Sequence, residues 1–203
     1  MSPEFLITTL VICASPGTGV VYALAAALSR GVKAGLVASL AGTLGIVPHL
    51  VAATLGIATL LHTSAVAFAA VKYLGVLYLL YMAWQTLQQK GAMKLDASAA
   101  PRGFSAVMRD GVVLNLLNPK LSIFFVAFLP QFIHPEEGGV TMQMLTLSGV
   151  FMLVTFIVFA IYAVFAATMR SAILERPNVM AWMRRSFAAA FGLLAVKLAF
   201  TER

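Results

Sequence analysis

Residues 116 to 125 read LLNPKLSIFF, which sets an asparagine, a proline and a lysine side by side within a long apolar run. Earlier in the chain, Ser15-Pro16-Gly17-Thr18-Gly19 interrupts a second apolar run. A proline inside a helix has no N–H to donate, and its ring collides with the carbonyl four residues back. Each site is therefore predicted to break its helix and to leave carbonyls without partners, at residues 11 to 15 and 114 to 117. Such carbonyls attract a cationic group. Ser-Pro and Asn-Pro also read as an N-cap followed by proline at the first helical position, which would start a new half-helix at each break. Helix N-termini carry free N–H groups and roughly half a positive charge, and Lys120 adds a whole one. Ser15, Pro16, Gly17, Thr18, Gly19, Asn115, Asn118, Pro119 and Lys120 thus form a candidate site for a small solute with an anionic and a cationic end.

Each of these residues also has a structural explanation. Lys120 could hydrogen-bond freed carbonyls and do nothing more. Asn115 and Asn118, three apart and on one helix face, could bridge helices. His49, after Pro48, could handle a proton or sit hydrogen-bonded between helices. Asp110 could join it in proton handling, though an acid near a helix start is also ordinary dipole chemistry. Lys72 is close enough to a span end to snorkel. The Ala34, Ala38, Gly42 stripe and the Ala41, Gly45 pair read as close helix packing.

The elements that would hold such a site follow from composition. Of 203 residues, 61% are hydrophobic and 10% charged, against roughly 45–50% and 25% in ordinary globular domains. Several runs approach the roughly 20 residues a membrane-spanning helix needs. Six candidates lie at about 4 to 28, 36 to 61, 64 to 87, 111 to 133, 141 to 168 and 180 to 200. The last is the shortest in clearly apolar residues, with Trp182 and the Arg184-Arg185 pair placed to anchor it at the interface. The N-terminal run carries Glu4 where a signal peptide would be basic, so it counts as the first span. Cys13 is the single cysteine, so an intrachain disulfide is impossible, and it reads as a small buried residue.

The polar stretch 88 to 110 divides the chain into repeat one (about 1 to 87) and repeat two (about 111 to 203) within one transmembrane domain. Three spans per half means that the second half crosses in the opposite sense, the condition for an inverted repeat. Gly/Pro interruptions fall in the first span of both halves, and irregular backbone survives at membrane depth only where protein buries it or water reaches it. The expected fold is an all-α membrane protein of six transmembrane helices, two inverted three-helix repeats, with the first helix of each half broken.

Charge gives the orientation. Arg30, Lys33, Lys90, Lys94, Arg102, Arg109, Arg170, Arg176, Arg184 and Arg185 are ten of the fourteen basic residues, and all fall on one side of the expected membrane. The positive-inside rule makes that side cytoplasmic and puts both termini outside. The net charge of +7 is then a topology signal; nucleic-acid binding would need a basic soluble face that this chain has nowhere to carry. There is no GxxxxGK[ST] loop, HExxH, CxxC or GxSxG motif, so an ATP-driven pump is excluded for this chain alone and a hydrolase has no visible nucleophile. No metal or cofactor is expected, and the chain is not expected to be an enzyme.

At these motifs the chain resembles a known family. SPGTG in the first span, KYLGVLYLLYMAW at 72 to 84 and VLNLLNPKLSIFFVAFLPQF at 113 to 132 are similar to segments of the LysE/RhtB family of bacterial amino-acid exporters. The resemblance covers nearly the whole chain, and the NLLNPK string is its most specific part. Pro16, Gly17, Gly19, Lys72, Gly75, Asn115, Asn118, Pro119, Lys120, Pro130 and Gln131 match the family pattern. The resemblance implies an inner-membrane carrier that exports amino acids or close derivatives on the proton motive force. It departs at one place: members often carry an acid seven residues before a tyrosine matching Tyr162, and here that residue is Thr155.

The expected function is export of an amino acid or a related small zwitterion across the bacterial inner membrane, with the lipid bilayer and the solute as partners and a homodimer compatible with the sequence. Export of another metabolite or toxic solute is the alternative within transport. A non-transporting membrane subunit, its breaks filled by packing, is the alternative from another class.

Overall fold

A computed structural model describes residues 2–15, 17–63 and 103–168, together with separate positions between 70 and 88 and between 182 and 200. The expectations that fall on Pro16, Lys72 and Gly75 lie outside the described residues. Every regular element described is helical: α1 (Pro3–Ala14), α2 (Thr18–Leu44), α3 (Val47–Thr63), α4 (Phe104–Leu116), α5 (Pro119–Ile123) and α6 (Val140–Thr168). After α5 the chain passes through a π-helical turn at Phe124–Phe128 and 3₁₀ turns at Leu129–Phe132 and Pro135–Glu137.

Two helical stretches are long and apolar enough to cross a membrane by length and composition, Thr18–Gly56 and Val140–Thr168. The pair α4 and Lys120–Phe132, bent by 51°, makes a third if it is counted as one broken span. The first stretch is folded in two. Gly31 sits inside α2 with φ 79° and ψ −178°, a left-handed conformation that glycine adopts without the Cβ penalty. A Cβ added to Gly35 would lie 2.7 Å from the Cβ of Ala27, whereas eight residues along a straight helix are about 12 Å apart. Gly19 and Gly42 likewise face the same edge of Phe159 and the same Asn115 side chain. Limbs 18–30 and 32–44 therefore run antiparallel, and the turn falls between Arg30 and Lys33, in the connection expected between spans one and two.

The limbs approach closely because small residues line them. Ala23, Ala26, Ala27, Ala34, Ala38 and Ala41 are all buried, and α2 packs chiefly against α4 and α6. Glycine is required where the fit is tightest: a Cβ on Gly111 would lie 2.7 Å from that of Ala41. Toward the other end the core is aromatic. Phe124 stacks on Phe151 with ring centroids 4.3 Å apart, and Phe125 meets Phe151 edge-on at 5.4 Å. The wide turn that carries these rings precedes Pro130, which cannot donate to the carbonyl four residues back. Large apolar side chains such as Leu55, Leu77, Leu153 and Ile161 point outward, the expected state of a surface solvated by lipid.

Both expected breaks are present. α1 ends at Ala14 and α2 begins at Thr18, with Ser15 and Gly17 in extended conformation. α4 ends at Leu116 and α5 begins at Pro119, with Asn118 extended. The expectation that Ser15 caps a new half-helix is corrected. Ser15 is instead the C-cap of α1, and its hydroxyl donates back to the Ile12 carbonyl at 2.8 Å. Gly17, itself extended, occupies the N-cap of α2 with no side-chain cap. At Asn118 the expectation holds: its Oδ1 accepts from the Lys120 backbone N–H at 3.1 Å, with Pro119 in the first turn.

Candidate functional site

The two breaks come together at Lys120. Its side chain leaves α5 and reaches across to the end of α1, where Nζ donates to the carbonyls of Ile12 (2.9 Å) and Ser15 (3.3 Å) and to Ser15 Oγ (3.1 Å). Three donors of an ammonium thus meet three acceptors, two of them carbonyls that the first break set free. Lys120 is 9% exposed. The ion pairs among the described residues are Arg109–Asp110 and His134–Glu136, so no described carboxylate lies within pairing distance of it. Among the described residues, dipoles alone stabilise the charge. Gly17 allows the approach, since a Cβ there would stand 2.9 Å from Nζ.

Other freed carbonyls are also taken. Tyr162 on α6 donates from its hydroxyl to the Ala14 carbonyl at 2.7 Å. At the second break His49 Nε2 lies 2.9 Å from the Asn115 carbonyl, and His49 Nδ1 lies 3.2 Å from Ser122 Oγ. A carbonyl only accepts, so Nε2 carries the hydrogen and, in the neutral ring, Nδ1 accepts from Ser122. Asn115 is fully buried and donates through Nδ2 to the Gly42 carbonyl, while its Oδ1 accepts from Asn118 Nδ2 at 3.3 Å. Gly19 closes the site from α2: a Cβ there would lie 2.7 Å from Phe159 and 2.8 Å from Asn115 Oδ1.

Between the breaks is a cavity of about 10 Å³, lined by Ile12, Cys13, Gly19, Asn115, Asn118, Lys120, Leu121, Phe151, Thr155 and Phe159. That is space for about one water molecule. A molecule the size of an amino acid does not fit in that space.

Ser15, Gly17, Gly19, Asn115, Asn118 and Lys120 are gathered here, and His49 joins them through the Asn115 carbonyl. Thr18 opens α2 but is exposed, and Pro119 supplies the first residue of α5. Asp110 stands apart, paired with Arg109 at 2.8 Å with more than a third of its side chain exposed. Composition and motifs pass over several neighbours. Cys13 Sγ lies 3.1 Å from Thr155 Oγ1, whose own hydrogen goes to the Phe151 carbonyl at 2.8 Å, so the thiol is the donor. Phe151, Phe159 and Tyr162 sit on the same face of α6. The offset of seven from Thr155 to Tyr162 was the only signal for that face.

An all-helical, strongly apolar chain with two broken helices joined by a buried cation is built as a membrane protein. The family model for LysE type translocators matches residues 10–202, and the chain belongs to that family, whose members are transporters rather than enzymes. Relatives include a homoserine/homoserine lactone efflux protein of Salmonella typhimurium, 30% identical over 96% of this chain and 94% of the relative. A leucine efflux protein of Klebsiella pneumoniae is 34% identical over 71% of this chain and 69% of the relative. A membrane protein of Vibrio cholerae is 31% identical over 92% of this chain and 90% of its own length. No solved structure matches.

Proposed function

We propose that this protein is a secondary transporter that exports amino acids or closely related small zwitterionic metabolites across the bacterial inner membrane on the proton motive force. The observation that carries the proposal is the buried Lys120, which has no carboxylate partner among the described residues and is held where both helix breaks converge. A buried cation balanced only by dipoles is a ready partner for a solute carboxylate. The carbonyls of Ile12 and Ser15 suit the solute's ammonium group, and Ser15, Pro16, Gly17, Thr18, Gly19, Asn115, Asn118 and Pro119 shape the rest of the site. Relatives named for leucine efflux and for homoserine/homoserine lactone efflux favour amino acids and their close derivatives. Proton handling we assign to His49, which touches the site, rather than to the surface-paired Asp110.

The architecture that goes with this function is six spans in two inverted repeats, with broken first helices at 3–30 and 104–132 and both termini periplasmic. Orientation is checked with cysteines in place of Ser98 and Glu137 and an impermeant thiol reagent on intact cells. Glu137 is chosen over Gly138, whose φ of 71° favours glycine. Labelling at 137 and none at 98 is expected; the opposite pattern reverses the assignment.

The function itself is tested by flux. Purified protein in liposomes, loaded with a panel of amino acids and given a proton gradient, should release at least one of them in a gradient-dependent way. Release of none, from correctly folded protein, rejects the amino-acid class. One observation favours a second reading: Lys120 already has three acceptors within the protein, as a purely structural lysine would. Normal flux by Lys120→Met would establish that reading.

A further inference from the structure

We propose that the seam between α1 and α6 is a leg of the solute's path, and that the hydroxyls of Thr9 and Ser148 form a second binding position on it, beyond the site at Lys120. The inference rests on the export reading above and adds where the solute goes next. It begins from two buried hydroxyls. A serine or threonine inside a helix commonly turns its hydroxyl back to the carbonyl four residues before, as Ser39, Thr43, Thr54 and Thr155 do at 2.8–2.9 Å. Thr9 and Ser148 do not. Each is 0% exposed, and neither hydroxyl has a partner among the described residues, although the carbonyls of Phe5 and Met144 stand four residues back in the same helices. A buried hydroxyl without a partner is costly to keep, which marks it as something the fold alone does not need.

Thr9 is one turn before Cys13 on α1 and Ser148 two turns before Thr155 on α6, so each shares a helix face with a residue that lines the cavity. Cys13 meets Thr155 at 3.1 Å and Ala14 meets Tyr162 at 2.7 Å. The residue numbers rise together, so the two helices run parallel here. Measured from the Cys13–Thr155 contact, Thr9 is then about 6 Å and Ser148 about 10 Å along the same direction, a difference that one small solute spans. One turn past Thr9, Phe5 meets Phe132 edge to face with centroids 5.3 Å apart, which closes the seam at its far end. The polar positions thus run from the cavity toward the start of α1, the side that the proposed orientation makes periplasmic. A hydroxyl both donates and accepts, so this position takes an ammonium, a carboxylate or an ester carbonyl alike and demands no particular charge of the solute. Passage requires α1 and α6 to part, with the two hydroxyls meeting the solute's polar groups in place of water.

Two measurements test this. Thr9→Val and Ser148→Ala keep the shape and the helix preference of their positions while removing hydroxyls that bond nothing. The double variant should melt no lower than wild type in detergent, yet export the best solute of the panel about tenfold more slowly. Unchanged export overturns the proposal. So does a melting temperature more than about 2 °C below that of wild type, because the hydroxyls would then have a structural partner.

The second measurement needs no export, so its failure is separate from that of the export reading. Thr9→Cys and Ser148→Cys are placed in liposomes with an impermeant cationic methanethiosulfonate on both faces of the membrane. Wild type, with Cys13 alone, gives the background, and Leu10→Cys, on the exposed face of α1, gives the rate for a position facing lipid. Both seam variants should react at least about tenfold faster than Leu10→Cys, since only a thiol that water reaches ionises and attacks, and the solute that wild type exports should slow them. Rates no higher than that of Leu10→Cys mean a seam that stays dry and overturn the proposal, as does a reaction that the exported solute leaves unchanged. Should wild type export nothing on the panel while both seam variants react quickly, the passage is supported and the amino-acid reading alone falls.

Discussion

The first break and the second are marked by the same residue pattern, a small polar residue before a proline, yet their backbone groups are satisfied in opposite ways. At the second, most bonds are local: Leu117 N–H reaches the Val113 carbonyl, Asn118 N–H reaches that of Asn115, and the Asn118 side chain caps α5. Among the described residues, His49 is the one group brought in from another helix to a carbonyl of this break. At the first, the carbonyls of Ala14 and Ser15 rely on Tyr162 and Lys120, which come from far along the chain, and Lys120 joins the local Ser15 hydroxyl at the carbonyl of Ile12. A break that closes on itself is a rigid platform. A break finished by distant side chains can be finished by a ligand instead. The contrast assigns different tasks to the two sites: the second holds the base of Lys120 steady, and the first supplies what its tip binds.

The strongest way to break that contrast is to remove the shared lysine. Lys120→Met should abolish export while the protein still inserts, because an intramembrane charge costs about 2.5–3.5 kcal/mol to insert and its loss eases that step. Lys120→Arg should restore little, since a planar guanidinium cannot fill a socket shaped for a compact ammonium. Export and detergent melting of both variants decide the matter, and full activity of Lys120→Met would reduce the lysine to a packing residue.

Next in size is Gly19→Ala. Alanine is the better helix former by about 1 kcal/mol, but its Cβ would sit 2.7 Å from Phe159 and 2.8 Å from Asn115 Oδ1. Overpacking of that kind typically costs about 1–3 kcal/mol. The expected result is a lower melting temperature together with reduced export; an unchanged or raised melting temperature would mean that α6 gives way easily. Gly149, whose Cβ would meet nothing, is the control, and Gly149→Ala should be neutral or stabilising.

These expectations show what the sequence discloses and what it hides. Both breaks were legible because proline and glycine act locally, whatever the rest of the chain does. Asn118 as a cap was legible for the same reason. Ser15 was not, because the Gly-Thr-Gly that follows lets the helix restart two residues later. The fold-back at Gly31 left its trace in the Arg30 and Lys33 charges. The inner face of α6 was hidden by its composition: a helix apolar on all sides has no polar stripe to show which side faces in, so Phe151 and Phe159 stood out no more than Phe165. Contacts between distant residues, such as Lys120 with Ile12, leave no periodic signal at all.

His49 tests the second break directly. His49→Ala should remove the interhelical donor of the Asn115 carbonyl, which keeps the Asn118 N–H, so the loss is that of one hydrogen bond, about 0.5–1.5 kcal/mol. His49→Gln can still donate through its amide and should recover most of that stability. The two variants separate packing from proton chemistry: if His49 carries the coupling proton, His49→Gln melts normally yet exports without response to the proton gradient. Gradient-driven export by His49→Gln at the wild-type rate would leave the histidine as a helix-to-helix tie.

The smallest effect is expected at Thr155, where the resemblance to the family implied an acid. Its hydroxyl donates to the Phe151 carbonyl one turn back and accepts from Cys13. Thr155→Val keeps the shape and removes both bonds. The Phe151 carbonyl keeps its place in the helix ladder, and a thiol is a weak donor, so little is stranded by the change. Stability should fall by less than about 1.5 kcal/mol, and export should keep its dependence on the proton gradient, because a threonine hydroxyl does not titrate in the working range. Parallel measurement of melting and of export with and without the gradient checks both statements. Loss of coupling in Thr155→Val, with the fold intact, would mean that the proton passes along the Cys13–Thr155 contact after all, and would move the proton pathway from the second break to the first.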